Sequence, residues 1–138
     1  MCSSDLALVT GERLADVLQR GDHGSTFAGG PVASRAALEA LEICSDPRLL
    51  ERVRSFGNHF AGRLEGISFV AAVRGRGLML AIDLVDGMDA PELARRALLE
   101  QRLVVNATGP ATIRLEPPLI VSTEEVDDAA ARLEALAE

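Results

Sequence analysis

The chain contains no lysine. Without an ε-amine, its 138 residues cannot form a Schiff base with a carbonyl cofactor, nor place a Walker-type lysine on a phosphate. Cysteine is scarce too. Cys2 and Cys44 are the two present, too few for a disulfide framework or a metal set, and their number suits a reducing cytoplasm. The two histidines and two cysteines share no metal-ligand spacing, which predicts no metal. Positive charge is in deficit: 14 basic residues face 21 acidic ones, a net charge of −7. That balance argues against a nucleic-acid or anionic-membrane partner, since both need a basic stripe. No apolar run approaches the ~18–20 residues of a membrane span. The N-terminus has neither the basic nor the apolar region of a signal peptide.

What is present is a globular composition, 48% hydrophobic and 25% charged. The length predicts one domain, able to bury on the order of 70% of its unfolded surface. Every cationic side chain is a guanidinium, whose planar fork suits carboxylates.

Met1 to Leu6 differ in character from the rest and predict a non-native start, in which case Cys2 carries no meaning. Leu6–Thr10 reads as a short strand, and Gly11–Leu18 has a weak helical pattern. Arg20–Gly30 is rich in glycine and hydroxyls, an ordered loop. Pro31 suits the first position of a helix, and the Ala-rich run Val32–Cys44 predicts one with a broad buried face. Asp46-Pro47 restarts a helix with an apolar stripe of Leu49, Leu50, Val53, Phe56, Phe60 and Leu64. Gly66 ends it.

A strand then follows in which Ile67, Phe69, Ala71 and Val73 share one face. Gly75-Arg76-Gly77 predicts a turn, and Leu78, Leu80, Ile82 and Leu84 a second strand, making an antiparallel hairpin. A helix from Ala90 to Glu100 and strands at Leu103–Asn106 and Thr112–Leu115 come next. Ser122 with Glu125 forms a capping box before a last helix carrying Val126, Ala129, Ala130, Leu133 and Leu136. The order predicts an α/β chain of the two-layer α+β kind, with helices on one face of a mostly antiparallel sheet.

The segment Gly21-Asp22-His23-Gly24-Ser25-Thr26-Phe27-Ala28-Gly29-Gly30-Pro31 is the one that asks for a functional reading. Glycines expose backbone amides, and with the Ser25 and Thr26 hydroxyls these can surround a phosphate without a lysine. The same composition also serves a plain connector whose Ser and Thr cap turns. Both readings stand on these residues alone.

The segment resembles the class III, fold-type I, pyridoxal-phosphate-dependent aminotransferases, and within them the acetylornithine/ornithine aminotransferase branch. There the stretch runs His-Gly-Ser/Thr-Thr-Phe-Gly-Gly-Asn-Pro, followed by an Ala-rich helix. Val73-Arg74-Gly75-Arg76-Gly77-Leu78-Met79 is similar to the family's Val-Arg-Gly-x-Gly-Leu-Met. Thr112-Ile113-Arg114-Leu115-Glu116-Pro117-Pro118-Leu119-Ile120 is similar to its Ile-Arg-x-x-Pro-Pro-Leu, and Ser122-Thr123-Glu124-Glu125-Val126 to its last helix start. The motifs occur in the family's order and cover about its last third.

The resemblance implies residue roles. Thr26 takes the position of a threonine whose hydroxyl and amide bind the phosphate of pyridoxal 5'-phosphate across a homodimer interface. Ser25 takes the neighbouring position, at the phosphate and the substrate side. Arg114 takes that of an arginine near the substrate carboxylate, either binding it or pairing with a glutamate from elsewhere in the fold. It also implies residues 7–30 as a remnant of the large cofactor-binding domain, and 31–138 as the C-terminal small domain with its connecting helix. The implied reaction is amino transfer from acetylornithine to 2-oxoglutarate, in arginine biosynthesis and in the cytoplasm. The family's catalytic lysine has no counterpart here, so the chain alone is expected to be inactive, with no catalytic residue of its own. Gly30 replaces the family's Asn, and whatever hydrogen bond that side chain makes is lost or replaced. The alternative is a stand-alone, non-catalytic α+β binding module derived from such an enzyme. The amine donor stays open between acetylornithine, ornithine, succinyldiaminopimelate and 4-aminobutyrate.

Other residues read more plainly. His23 beside Asp22 and Ser25 lacks the elbow of a nucleophile relay, and His59 is a surface or boundary residue of a helix. Arg74 and Arg76 are expected to be solvated or paired with carboxylates. Cys44 reads as a small core residue, and Glu124, Glu125, Asp127 and Asp128 as a solvated first turn that favours the helix dipole.

Overall fold

The computed structural model describes residues 11–17, 19, 22, 24, 26 and 29–137. The chain forms two compact units, residues 1–46 and 47–138. The expected strand at Leu6–Thr10 lies outside the described residues.

In the first unit, the weak helical pattern after Gly11 yields a short 3₁₀ turn, Glu12–Leu14. Helix α1 spans Pro31–Cys44, with proline at its start and Gly30 as N-cap. Its predicted buried face is not buried. Val32 is 83% exposed, Leu41 62% and Ile43 59%. Cys44 is likewise exposed, not a core residue. An apolar stripe induces a helix by its period, but it is buried only if another element lies over it.

The second unit carries the core. Helix α2 spans Pro47–Glu65, β1 Val70–Arg76, β2 Met79–Leu84, α3 Ala90–Gln101, β3 Asn106–Ala107, β4 Thr112–Leu115 and α4 Thr123–Glu134. This is the expected order, and the sheet is antiparallel throughout, β1-β2-β4-β3. Period-2 patterning sends Leu80, Ile82, Leu84, Ile113 and Leu115 to the inner face, all buried. On them lie Phe60 and Leu64 of α2, Leu93 and Ala97 of α3, and Val126, Ala130 and Leu133 of α4. Val53 and Phe56 flank the core, while Leu50 stays 40% exposed at the upper end of the predicted stripe. The capping box of α4 is formed: Glu125 N–H donates to Ser122 Oγ, and Ser122 N–H to the Glu125 carboxylate.

Three strand expectations need correction. The strand expected at Leu103–Asn106 is confined to Asn106–Ala107, because only these two residues pair with β4. Val70 pairs with Leu84 but Ala72 with Asp83, so Ala71 is the extra residue of a β-bulge. The bulge breaks the i, i+2 phase: Ile67 and Phe69 are buried, whereas Ala71 is exposed. The hairpin turn is shorter than Gly75-Arg76-Gly77. Gly75 and Arg76 belong to β1, opposite Leu80 and Met79, and Gly77-Leu78 alone make the loop. Gly77 has φ +56°, the positive value that a two-residue hairpin loop needs at its first position.

Arginines also tie elements together. The Arg52 guanidinium of α2 donates to the carbonyls of Ile120 and Val121 and lies 4.8 Å from the centre of the Phe56 ring. Arg132 of α4 donates to the carbonyl of Gln101 at the end of α3, at 2.9 Å. The fixed fork of Arg132 suits a helix-end carbonyl that has no partner within the helix, and that of Arg52 pins the loop that leads into α4.

Candidate functional site

The glycine-rich segment enters α1 in the first unit. Thr26 is described and exposed, whereas Ser25 and His23 lie outside the described residues. A Cβ added at Gly24, Gly29 or Gly30 would meet nothing within 4 Å among the described residues. Packing therefore does not require these glycines. Gly29 has φ +71°, which backbone geometry explains. The other two leave backbone open to approach. Gly30 caps α1 with no side-chain hydrogen bond, so the amides of the first turn are left for another acceptor. The Asp22 carboxylate accepts from the Gln19 N–H at 2.8 Å and is thereby occupied locally. A hydroxyl, backbone amides and a helix N-terminus are donors of the chemical kind that suits a phosphate. Nothing among them can form a Schiff base with the carbonyl of such a cofactor, which takes a lysine amine.

Arg114 stands on β4 in the second unit, on the outward face of the sheet. In register, it lies between Ala81 of β2 and Asn106 of β3, and Arg74 of β1 follows beyond Ala81. Period 2 makes this row outward, because its neighbours Ile113 and Leu115 are inward. Arg114 Nε lies 3.0 Å from Glu116 Oε2, with the two side chains 43% and 40% exposed. A single contact to an exposed carboxylate is weak, and an incoming carboxylate can replace it.

Arg74 differs. Its Nε and Nη2 donate to both oxygens of Asp83, at 2.9 and 3.2 Å, and Thr112 Oγ1 donates to the same carboxylate at 2.8 Å. The guanidinium, with the hydroxyl second, holds the Asp83 carboxyl below its usual range. A lowered carboxyl pKa stabilises the fold above the unfolded value, about 3.9, and this contribution is lost as pH falls through the folded value. Asp83→Asn is therefore expected to flatten the loss of stability between pH 5 and pH 3, read as urea midpoints at each pH. Parallel curves for the two proteins would contradict it.

Arg76 is exposed, with no hydrogen bond or ion pair among the described residues. Asp127 departs from the solvated first turn: it meets His59 Nε2 at 2.9 Å and Arg63 Nε at 3.2 Å, linking α4 to α2. Only register and packing bring those groups together. Glu116, one residue past the end of β4, was also missed as a partner of Arg114, although its i+2 spacing puts both on one side while the chain stays extended.

Residues 5–136 match the model of the class-III aminotransferases. The ornithine aminotransferase of Staphylococcus carnosus is 39% identical over 129 residues, covering 92% of this chain and 32% of that protein. The acetylornithine aminotransferase of Methanothermobacter thermautotrophicus is 39% identical, covering 89% of this chain and 32% of that one. Among solved structures, the Toxoplasma gondii ornithine aminotransferase superposes with a TM-score of 0.71 at 34% identity, covering 88% of this chain and 30% of its own; its active site holds PLP at partial occupancy. The acetylornithine aminotransferase of Elizabethkingia anophelis gives 0.71 at 37% identity, covering 87% and 31%. The chain thus spans about a third of the length of the relatives it matches, and no helix among its described residues is long and apolar enough to cross a membrane. With its small antiparallel sheet, its helix order and a match over nearly its whole length, this chain belongs to the class-III aminotransferases.

Proposed function

We propose that this chain is the phosphate-contacting loop and small domain of a pyridoxal-phosphate-dependent ornithine- or acetylornithine-type aminotransferase. The observation that carries this reading is the family match over residues 5–136, on a fold that superposes with ornithine aminotransferase structures. Bound pyridoxal phosphate supplies an electron sink for breaking bonds at the amine-bearing carbon. The chain's own residues bind and orient. The Thr26 hydroxyl and the open amides before α1 hold the phosphate. Ser25 lines the substrate side of that loop. Arg114 releases Glu116 and takes a substrate carboxylate, which its fork fits bidentately. The reaction is amino transfer from acetylornithine, with 2-oxoglutarate as acceptor, in a cytoplasmic homodimer serving arginine biosynthesis. With no ε-amine among its residues, the chain by itself does not turn over.

The test is a chimera in which residues 7–138 replace the corresponding third of the Staphylococcus carnosus ornithine aminotransferase. The chain alone is expected to show no transfer, and the chimera to transfer from ornithine or acetylornithine to 2-oxoglutarate. In the chimera, Thr26→Ala is expected to weaken cofactor binding by roughly 10- to 100-fold, the worth of one hydrogen bond to a charged acceptor. Thr26→Ser should retain most of it. A folded dimeric chimera without transfer, or unchanged cofactor affinity in Thr26→Ala, would overturn the reading.

A further inference from the structure

We propose that the cleft between α2 and the tip of the β1–β2 hairpin is an oxyanion-binding site for a small carboxylate- or phosphate-bearing molecule. The cavity is about 390 Å³. Its polar lining comes from Arg54, Asn58, Arg74 and Arg76, and no carboxylate lines it. In a chain of net charge −7, a concavity walled by three guanidiniums runs against the overall balance.

The three arginines differ in what they have to give. Arg74 is committed to Asp83 by two hydrogen bonds and forms a wall. Arg54 has one contact, to Glu51 a turn away at 3.3 Å, with the two side chains 64% and 74% exposed. Such a pair contributes little and yields to a better-placed anion. Arg76 has no partner among the described residues. Two available guanidinium forks, which only donate, and the N–H2 of the Asn58 carboxamide supply donors of the kind that recognise oxyanions.

The floor is built from bare backbone. A Cβ on Gly57 would lie 2.0 Å from the Gly77 carbonyl oxygen, so helix and hairpin touch main chain to main chain. Gly57 sits between Arg54 and Asn58 on α2, and Gly77 follows Arg76. The contact therefore fixes the two stretches of main chain from which the donors project. This site lies wholly in the second unit and does not depend on the aminotransferase reading.

The experiment is a titration of the 138-residue chain at low ionic strength, with inorganic phosphate in one series and succinate in the other. Nε–Hε resonances of Arg54 and Arg76 and the carboxamide of Asn58 report binding. Saturable shifts are expected, weakened at least tenfold in the Arg54→Gln/Arg76→Gln double variant. Both side chains are exposed, and circular dichroism checks that this variant keeps its fold. The Arg35→Gln/Arg95→Gln variant removes the same charge at two exposed positions elsewhere and should bind as the parent does. Tighter binding of phosphate assigns a phosphorylated ligand; otherwise the ligand is a carboxylate. No saturation up to about 10 mM, or equal weakening in both double variants, would overturn the site and leave only general charge attraction.

Discussion

Gly57→Ala is expected to destabilise the second unit by about 2 kcal/mol or more. A Cβ there would lie 2.0 Å from the Gly77 oxygen, 2.5 Å from its carbonyl carbon and 2.9 Å from its Cα. These are backbone atoms, so no side chain can swing away. Nor can the hairpin tip retreat freely. A Cβ at Gly75, where φ is +144°, would lie 2.2 Å from the Met79 oxygen. Overpacking of this kind costs about 3 kcal/mol or more, of which alanine's better helix propensity returns about 1. For a unit of this size the net effect is a fall in Tm of roughly 10 °C by circular dichroism. Gly62→Ala is the internal control. It lies on the same helix, exposed, with nothing within 4 Å of an added Cβ. It should stabilise by roughly 0.5–1 kcal/mol through propensity alone. An unchanged Tm in Gly57→Ala would mean that helix and hairpin are not in main-chain contact.

The second large effect concerns Arg114. In the chimera, Arg114→Gln is expected to lower kcat/KM for the carboxylate-bearing amino donor by about 100-fold, or about 3 kcal/mol of transition-state stabilisation. The residue stands on the outward row of the sheet, with Glu116 as its sole ion-pair partner among the described residues. Losing the guanidinium removes a bidentate, charge-assisted contact that glutamine cannot replace. Arg114→Lys should recover only part, since an ammonium is a point charge without a fork. Steady-state kinetics over both substrates measure the effect. A loss below about threefold in Arg114→Gln would mean that the arginine serves the sheet, through Glu116, rather than the substrate.

Much of this fold was legible from local chemistry. Proline at the start of α1 and α2, the Ser122–Glu125 box and the alternation Leu80, Ile82, Leu84 each act over a few residues, so each names its own element. The Ala71 bulge was not legible, because one extra residue in a strand leaves no mark until its partner strand is laid beside it. Nor was the exposure of α1 and Cys44, because a periodic face is a demand for cover and not a record of it. A glycine on the apolar stripe between Val53 and Phe60 was a usable sign of close approach. It says that something comes near Gly57, and only the hairpin says what.

The candidate site divides in the same way. The sequence by itself determined the available chemistry: no amine nucleophile, every cation a guanidinium, and two hydroxyls set among glycines before a helix. Those are properties of side-chain type and near-neighbour spacing, and folding does not alter them. The tertiary structure decided which guanidiniums are free to act. Arg74, Arg76 and Arg114 look alike as letters, yet Asp83 claims the first, Glu116 holds the third loosely, and Arg76 has no partner among the described residues. That assignment follows from strand register and from the contact of α2 with the hairpin, which pair residues far apart in the chain by geometry that no local pattern encodes.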